Sequence, residues 1–365
     1  MQRDHNNHST EETLGILKSI WSKDASGRWI VHDLKGIDLN PQDGFGKDYF
    51  KIQNDMNLLT QSPGPLKGLD LFSSFGDTDF LLKQSIVPIV AYNADDREIR
   101  CIGTGFFISA SGYLMTAAHV LRDPVDEKYT DVKQVGDNTF RLGEGLRLGA
   151  LIPPNPAMQS APFVNLPPAI RRAKFFVHPV EWAFHWGRDV PSPLLHEDPR
   201  FKYDMDVAIL KIKENQMGGA FQPLNIGAHR LSLGDKAVAI GYAEMKNIPR
   251  NSSGGVDDFE QDLFVSVGKV TNIYLNNHIE NQVATPGPCF DFDARIPGKM
   301  SGAPILVGGG VMTKGIVSRS WQGENYASGC LITPVMELKL QDNKSLSDLM
   351  KSGNEGIAQI YGTDL

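Results

Sequence analysis

Short apolar runs rich in β-branched residues, separated by glycine and other turn residues, recur along the chain from about residue 85 onward. The first run, residues 85–92, is rich in isoleucine and valine, which favour strands. Residues 103–116 form two such runs around a Ser-Gly turn, which predicts a strand, a turn and a second strand. The stretches 233–242 and 263–270 alternate or run apolar in the same way. The pattern therefore predicts an all-β fold of strands and turns over this part of the chain.

The two ends of the chain break the strand pattern. A Ser-Thr-Glu-Glu capping box predicts a helix over residues 9–21 with one apolar side. Residues 27–68 alternate short apolar pieces with glycine, aspartate, asparagine and proline. We therefore expect residues 1–80 to be an N-terminal extension that packs on a main domain of residues 81–365, rather than a separate domain. A C-terminal helix is predicted to begin within residues 334–340.

Composition places the chain among ordinary globular proteins. Of its 365 residues, 41% are hydrophobic and 22% are charged, which is enough apolar material for a large core. The net charge of −7 and the lack of a basic stripe with interleaved aromatic residues argue against a nucleic-acid partner. The start of the sequence has no apolar signal core and no run is long enough to span a bilayer. We therefore expect a cytoplasmic protein without a membrane partner.

The cysteines and histidines do not form a recognisable structural or metal motif. Three cysteines are too few for a disulfide framework, so we expect reduced thiols, although Cys289 and Cys330 could approach one another. The spacing of His178, His185 and His196 matches no compact set of metal ligands. We expect neither a metal nor a cofactor.

Three short segments carry the candidate chemistry, in the order His, Asp, Ser. His119 follows Thr-Ala-Ala, Asp206 directly precedes the apolar run Val-Ala-Ile-Leu, and Ser301 stands in Gly-Lys-Met-Ser-Gly-Ala-Pro. A serine hydroxyl is a poor nucleophile at neutral pH, so an imidazole must accept its proton and a carboxylate must orient the imidazole. Alone, each residue has an ordinary interpretation as a packed or surface histidine, a turn aspartate or a turn serine. In this order and setting, the segments resemble the trypsin-like (chymotrypsin-fold) serine peptidases of the bacterial type.

The resemblance covers about residues 82–342 and implies both a fold and an activity. The fold would be two six-stranded antiparallel β-barrels with a C-terminal helix, and the long spacing between His119 and Asp206 would reflect an inserted loop. The activity would be that of a serine endopeptidase that cleaves protein or peptide substrates through an acyl-enzyme intermediate, with these two residues and Ser301 as the triad. The resemblance places the N–H groups of Lys299 and Ser301 in the oxyanion hole.

The two residues before the serine depart from the family pattern. Many relatives have glycine where this chain has Lys299, so the lysine must either tolerate the backbone geometry of an oxyanion hole or hold the loop differently until substrate binds. A catalytically impaired module that binds peptides or proteins and acts in regulation is therefore the alternative function. Met300 cannot make the ion pair by which zymogen-activated relatives switch on. We therefore expect residues 1–80, or the insertion, to hold the site shut until cleavage or a regulatory protein partner releases it.

Candidate substrate-binding residues also follow from the resemblance. Ser318, Arg319 and Ser320 lie on a run similar to the family strand that pairs with an extended peptide. Arg295 corresponds to the base of the family's specificity pocket, where an arginine suits an acidic substrate residue. It could equally face solvent or pair with Asp291 or Asp293, and surface pairing of that kind is the commoner fate.

Overall fold

A computed structural model describes most of the chain from residue 84 onward and five strands before it. The described ranges are 19–23, 29–37, 40–41, 49–51, 58–60, 84–93, 97–121, 132–142, 146–152, 175–190, 200–213, 221–224, 226–227, 230–249, 263–275, 285–307, 313–321, 324–352, 355 and 360–361.

The first 60 residues contain the strands β1 (Ser19–Lys23), β2 (Trp29–Ile37), β3 (Asn40–Pro41), β4 (Tyr49–Lys51) and β5 (Leu58–Thr60). β1, β2 and β5 form a small antiparallel sheet. β2 pairs with both β1 and β5. The predicted helix over residues 9–21 is therefore wrong from Ser19 onward, because these residues are extended and pair with β2, as suits their aromatic and β-branched side chains. Residues 9–18 lie outside the described ranges.

The next strands that the structure describes build a first barrel. They are β6 (Ile86–Asn93), β7 (Glu98–Phe107), β8 (Tyr113–Thr116), β9 (Val132–Gly136), β10 (Thr139–Leu142), β11 (Leu146–Ile152), β12 (Phe176–Val190) and β13 (Arg200–Ile212). Six of them close a ring in the order β6, β7, β8, β13, β12 and β11, since β11 pairs with both β12 and β6. β9 and β10 form a hairpin that extends the sheet from β12.

Six of the remaining strands that the structure describes build a second barrel, and three short strands lie beside the two barrels. Together these strands are β14 (Ile226–Gly227), β15 (Lys236–Tyr242), β16 (Ile248–Pro249), β17 (Leu263–Tyr274), β18 (Cys289–Phe292), β19 (Pro304–Val307), β20 (Thr313–Ser320), β21 (Ala327–Leu331) and β22 (Ile360–Tyr361). The ring order is β15, β19, β20, β21, β18 and β17, and the β15–β17 pairing closes it. β4 pairs with β17, β16 pairs with β7, and β14 lies parallel to β20 and β22.

The two closed six-stranded antiparallel barrels confirm the predicted fold. Each encloses apolar side chains that are fully buried, such as Phe106 and Phe184 in the first and Phe290 and Phe292 in the second. The long spacing between the histidine and aspartate segments is more than an inserted loop, because it contains β9 to β12, and β11 and β12 belong to the barrel itself. Residues 153–174 of that spacing lie outside the described ranges.

The C-terminal helix begins later than predicted. Thr333–Glu337 form a 3₁₀ turn, and the α-helix, α1, spans Leu346–Ser352. The turn ends at Leu338, whose backbone is extended. Helix α1 starts instead at a capping box, in which the Ser345 hydroxyl accepts the N–H of Asp348 at 3.1 Å and the Asp348 carboxylate accepts the N–H of Ser345 at 2.9 Å. Among the described residues, no helix is both long and apolar enough to span a membrane.

Candidate active site

His119 lies in a short 3₁₀ turn, Ala118–Leu121, directly after the end of β8. Its neighbours Ala118, Val120 and Leu121 are buried, so they fix the turn in the core of the first barrel. The His119 side chain is 30% exposed. The buried apolar residues on both sides of His119 therefore anchor the backbone while the imidazole stays accessible to a substrate.

Asp206 lies on β13, which pairs with β8 so that the aspartate comes close to the histidine turn. Its side chain is only 3% exposed. One carboxylate oxygen, Oδ2, lies 2.8 Å from Nδ1 of His119, and the other, Oδ1, accepts the His119 N–H at 2.9 Å. The carboxylate thus fixes both the backbone and the ring of the histidine. Because an ionised carboxylate only accepts hydrogen bonds, it favours the tautomer with the proton on Nδ1, in which Nε2 carries the lone pair that a general base needs.

The hydroxyl of Ser318 supports the same carboxylate and was not anticipated in that role. Ser318 is buried on β20, and its Oγ donates to Oδ2 of Asp206 at 2.5 Å. Burial opposes ionisation of Asp206, but the charge of His119 and the hydrogen bonds from His119 and Ser318 outweigh it, so the pKa of Asp206 lies below its ordinary value. The side chain predicted for substrate contact therefore orients the aspartate.

Ser301 is held against the segment that leads into His119. Its carbonyl oxygen accepts the N–H of Thr104 on β7 at 2.8 Å. The next residue, Gly302, has a φ of +85°, and a Cβ there would collide with the Thr104 carbonyl, the Thr116 hydroxyl and the backbone nitrogen of Ala117. Only glycine fits this space. The serine loop consequently packs directly on the backbone two residues before the histidine.

The serine loop is tied to the aspartate side as well. The N–H of Gly302 donates to the carbonyl of Val317 at 2.8 Å, and Val317 in turn donates to the carbonyl of Ala303 at 2.9 Å. Val317 immediately precedes Ser318, whose hydroxyl bonds Asp206. The structure therefore brings all three predicted segments to one place, through β8 on one side and β20 on the other.

The loop around Lys299 takes the conformation that a glycine would take more easily. Lys299 has a φ of +72°, in the left-handed region, so the lysine tolerates this geometry. Its carbonyl accepts a hydrogen bond from Thr104 Oγ1 at 3.1 Å, which helps to hold the strained residue. Met300 is fully buried in the second barrel. Among the described residues, the N–H groups of Lys299 and Ser301 donate to no backbone carbonyl, which is the condition that oxyanion donors must meet.

Thr104 is a residue that the sequence interpretation missed. Besides its bonds to the serine loop, its hydroxyl accepts the N–H of Tyr242 on β15 at 3.2 Å, and its carbonyl accepts the Thr116 hydroxyl at 2.7 Å. Thr104 thus links β7, β8, β15 and the serine loop. The signal for it was the glycine on each side, because a Cβ at Gly103 would lie 2.9 Å from Val120 and 3.0 Å from the carbonyl oxygen of the loop serine.

The other predicted substrate residues lie at the surface. Arg319 and Ser320 are exposed at the end of β20, following a register shift between Val317 and Arg319. Arg295 is also exposed, and its carbonyl accepts the Ser266 hydroxyl at 2.5 Å. Within the described part of the chain, the Arg295 guanidinium makes no ion pair. Arg295 is therefore accessible from solvent, and its role in substrate binding stays a prediction.

The three cysteines are buried free thiols. Cys289 on β18 and Cys330 on β21 are directly opposite one another, so their predicted approach is real. Their thiols donate to the carbonyls of Thr285 and Pro286 at 3.7 and 3.6 Å. Burial raises the pKa of Cys101 and of Cys289 to about 12, and it raises that of Cys330 as well. These thiols are therefore protonated at neutral pH.

The histidines considered as metal ligands are packed against aromatic rings. The ring of His185 stacks on Phe140 at a centroid distance of 4.1 Å, and His178 meets the ring of Phe221 edge-on at 6.1 Å. Burial lowers the pKa of His178 to about 4. His196 lies outside the described ranges. Among the residues that are described, no group of three or more histidine, cysteine, aspartate or glutamate side chains could hold a metal ion.

Comparison with known proteins extends these observations. The model of a family described as the trypsin-like peptidase domain matches residues 103–313, more than half of the chain. No curated protein matches the sequence significantly. Among solved structures, the chain is similar to the crystal structure of Deg5, at 19% identity and a TM-score of 0.38, covering 73% of this chain and 88% of that one. It is also similar to an inactive form of Rv3671c from M. tuberculosis H37Rv, at 15% identity and a TM-score of 0.34, covering 79% of this chain and 96% of that one.

Proposed function

The chain belongs to the trypsin-like peptidase family, and we propose that it is an active serine endopeptidase with His119, Asp206 and Ser301 as its catalytic triad. The observation that carries the proposal is the double contact between Asp206 and His119, in which one carboxylate oxygen bonds the ring and the other bonds the backbone. A structural histidine at a strand end does not need this two-point support, whereas a general base must keep both its position and its tautomer.

The proposed reaction begins with attack by the Ser301 hydroxyl on the carbonyl carbon of the scissile peptide bond. Nε2 of His119 takes the hydroxyl proton as the C–O bond forms, and the resulting imidazolium lies beside the ionised Asp206. The carbonyl oxygen becomes negatively charged and accepts hydrogen bonds from the N–H groups of Lys299 and Ser301. The C–N bond then breaks, and His119 returns the proton to the leaving amine. Water repeats the sequence on the acyl-enzyme and releases the carboxylic acid product.

The proposed substrate is an extended peptide segment. Arg319 and Ser320 are exposed on β20 next to the buried Ser318, so a substrate could add to this edge through backbone hydrogen bonds. Arg295 is a solvent-exposed cation six residues before the serine. An acidic substrate residue immediately before the cleaved bond is the matching partner for a guanidinium.

Covalent labelling with a fluorophosphonate tests the proposal, because this reagent reacts with a serine only when a base activates it. The wild-type protein is expected to label on Ser301, whereas the Ser301→Ala and His119→Ala variants are expected not to label. Mass spectrometry of the labelled peptide identifies the modified residue. A folded wild-type protein that stays unlabelled but binds peptides would instead support the alternative function, a regulatory binding module.

A further inference from the structure

A second buried carboxylate, Asp291, lies on β18 outside the proposed triad. It is 1% exposed, and it accepts hydrogen bonds from four different side chains. Its Oδ2 accepts from the hydroxyls of Tyr326 at 2.5 Å and Tyr274 at 3.0 Å, and from the amide of Asn272 at 3.4 Å. Its Oδ1 accepts from the hydroxyl of Ser328 at 2.6 Å. Within the described part of the chain, no cation lies within ion-pair distance of it.

These donors explain how the carboxylate is tolerated in the interior. Burying a carboxylate is costly unless hydrogen bonds replace the hydration that it loses, and the four side-chain donors supply these hydrogen bonds. Burial, together with the hydrogen bond to Asp291, raises the pKa of Tyr274 to about 12 and raises that of Tyr326 as well. Both phenols therefore keep their protons and act as donors at neutral pH.

The donors come from different elements, and two of them, Tyr326 and Ser328, belong to the hairpin that carries the proposed substrate edge. Tyr274 is the last residue of β17, and Ser328 lies opposite the aspartate on β21. Tyr326 immediately precedes β21 and closes the hairpin from β20. Trp321, directly after the last residue of β20, donates its N–H to the Tyr326 carbonyl at 3.5 Å, and the two rings lie 4.9 Å apart.

Trp321 links this cluster to the proposed substrate edge. It follows Ser320 without an intervening residue, and it is 39% exposed. The contacts run from Asp291 to the Tyr326 hydroxyl, from the Tyr326 ring to Trp321, and from Trp321 along the backbone to Arg319 and Ser320. The buried carboxylate is therefore connected to the open end of β20 by one hydrogen bond and one ring contact.

We propose that Asp291 is a positioning residue, which holds the end of β20 in register for an extended substrate through Tyr326 and Trp321. This inference rests on the proposed function, because it concerns how substrate reaches the same site. Asp291 does not touch the proposed triad, so its effect is on substrate binding rather than on the bond-breaking step. In kinetic terms, weakening the connection raises KM and leaves kcat nearly unchanged.

Two tyrosines on the same oxygen provide a matched pair of variants. Tyr326→Phe removes one hydroxyl from Asp291 and keeps the ring against Trp321, whereas Tyr274→Phe removes an equivalent hydroxyl from a residue outside the hairpin. With fluorescein-labelled casein as substrate, Tyr326→Phe is expected to raise KM about tenfold, equivalent to about 1.4 kcal/mol, with kcat within about twofold of wild type. Tyr274→Phe is expected to raise KM by less than about threefold.

A double-mutant cycle separates positioning from a general loss of stability. In an Asp291→Asn background, Tyr326→Phe is expected to have little further effect on KM, since the hydrogen bond between the two residues is already weakened. Fluorophosphonate labelling of all variants reports separately on the triad. In an enzyme that labels normally, equal KM values for the two tyrosine variants would overturn the positioning role. An undiminished effect of Tyr326→Phe on KM in the Asp291→Asn background would overturn it as well. Failure of the wild-type protein both to label and to cleave casein would overturn the proposed function, and with it this inference.

Discussion

Replacing Gly302 by alanine is the sharpest test of how the serine loop is assembled. The new Cβ would collide with the Thr104 carbonyl, the Thr116 hydroxyl and the Ala117 backbone nitrogen, two of which belong to backbone that cannot swing away. The residue also has a φ of +85°, which disfavours a side chain. A left-handed non-glycine residue costs about 1–3 kcal/mol and overpacking costs about 1–3 kcal/mol more. We expect Gly302→Ala to lose about 2–6 kcal/mol of unfolding free energy, measured by denaturant titration.

The alternative to this loss of stability is a movement of the loop, which would be visible in activity. If the loop shifts away from the first barrel by about 1 Å, the proposed geometry between Ser301 and His119 is lost, and a misplacement of that size lowers the rate by about 10²-fold. The assay is the rate of fluorophosphonate labelling, with the fraction of folded protein measured on the same samples. If the serine loop packs as described, Gly302→Ala must therefore cause either a large loss of stability or a large loss of labelling.

Gly298 provides the matched control on the same loop. A Cβ at Gly298 would meet nothing within 4 Å, so Gly298→Ala is expected to change labelling by less than about twofold, as ordinary surface substitutions do. If Gly302→Ala were as stable and as reactive as Gly298→Ala, the serine loop could not be packed on the segment before His119. That result would refute the proposed assembly of the site.

Three further predictions concern the groups around the triad. Ser318→Ala should lower the unfolding free energy by about 1.5–3 kcal/mol at neutral pH, because the buried Asp206 carboxylate loses a donor. Ser318→Thr, which keeps a hydroxyl, should lose less; an unchanged denaturant midpoint for Ser318→Ala would contradict this. Asp206→Asn should lower kcat by about 10⁴-fold. The folded protein holds the pKa of Asp206 below 3.8, so the wild-type protein should be more stable than this variant above that pH. The difference in stability should shrink as the pH falls below 3.8, which thermal melts between acidic and neutral pH would measure. Cys289 and Cys330 should react with Ellman's reagent only in guanidinium, since both are buried and protonated; rapid reaction of the native protein would show that the barrel opens.

The parts of the site that could be predicted from the sequence are those with local signals. His119 and Asp206 each adjoin an apolar run, and Ser301 stands in a loop of small residues, so their order along the chain was enough to relate them. The two barrels were predictable for the same reason, because strand patterns and turns are visible over a few residues. The segment from Ser19 to Lys23 shows the limit of such signals, since a capping box was outweighed by pairing with β2.

The supporting residues could not be predicted because strand register decides which way they face. Ser318 is 112 residues from its partner Asp206, and the two meet only when β20 lies beside the first barrel. A register shift between Val317 and Arg319 falls at this position, and such a shift changes the face on which side chains lie. The sequence suggests Asp291 only as an ion-pair partner for Arg295, whereas the donors that bind it come from two strands, β17 and β21, and from the turn between β20 and β21.

The connections of Thr104 imply that the proposed activity depends on contact between the barrels rather than on either barrel alone. The histidine and aspartate segments belong to the first barrel, while the serine loop belongs to the second. Thr104, on β7 of the first barrel, bonds the carbonyls of Ser301 and Lys299 and also accepts the N–H of Tyr242 on β15 of the second. A small relative movement of the barrels would break these bonds together, because one residue makes all of them. The proposed oxyanion donors and the proposed nucleophile would then lose their support in the same step, so the proposed reaction depends on the contact between the barrels at Thr104.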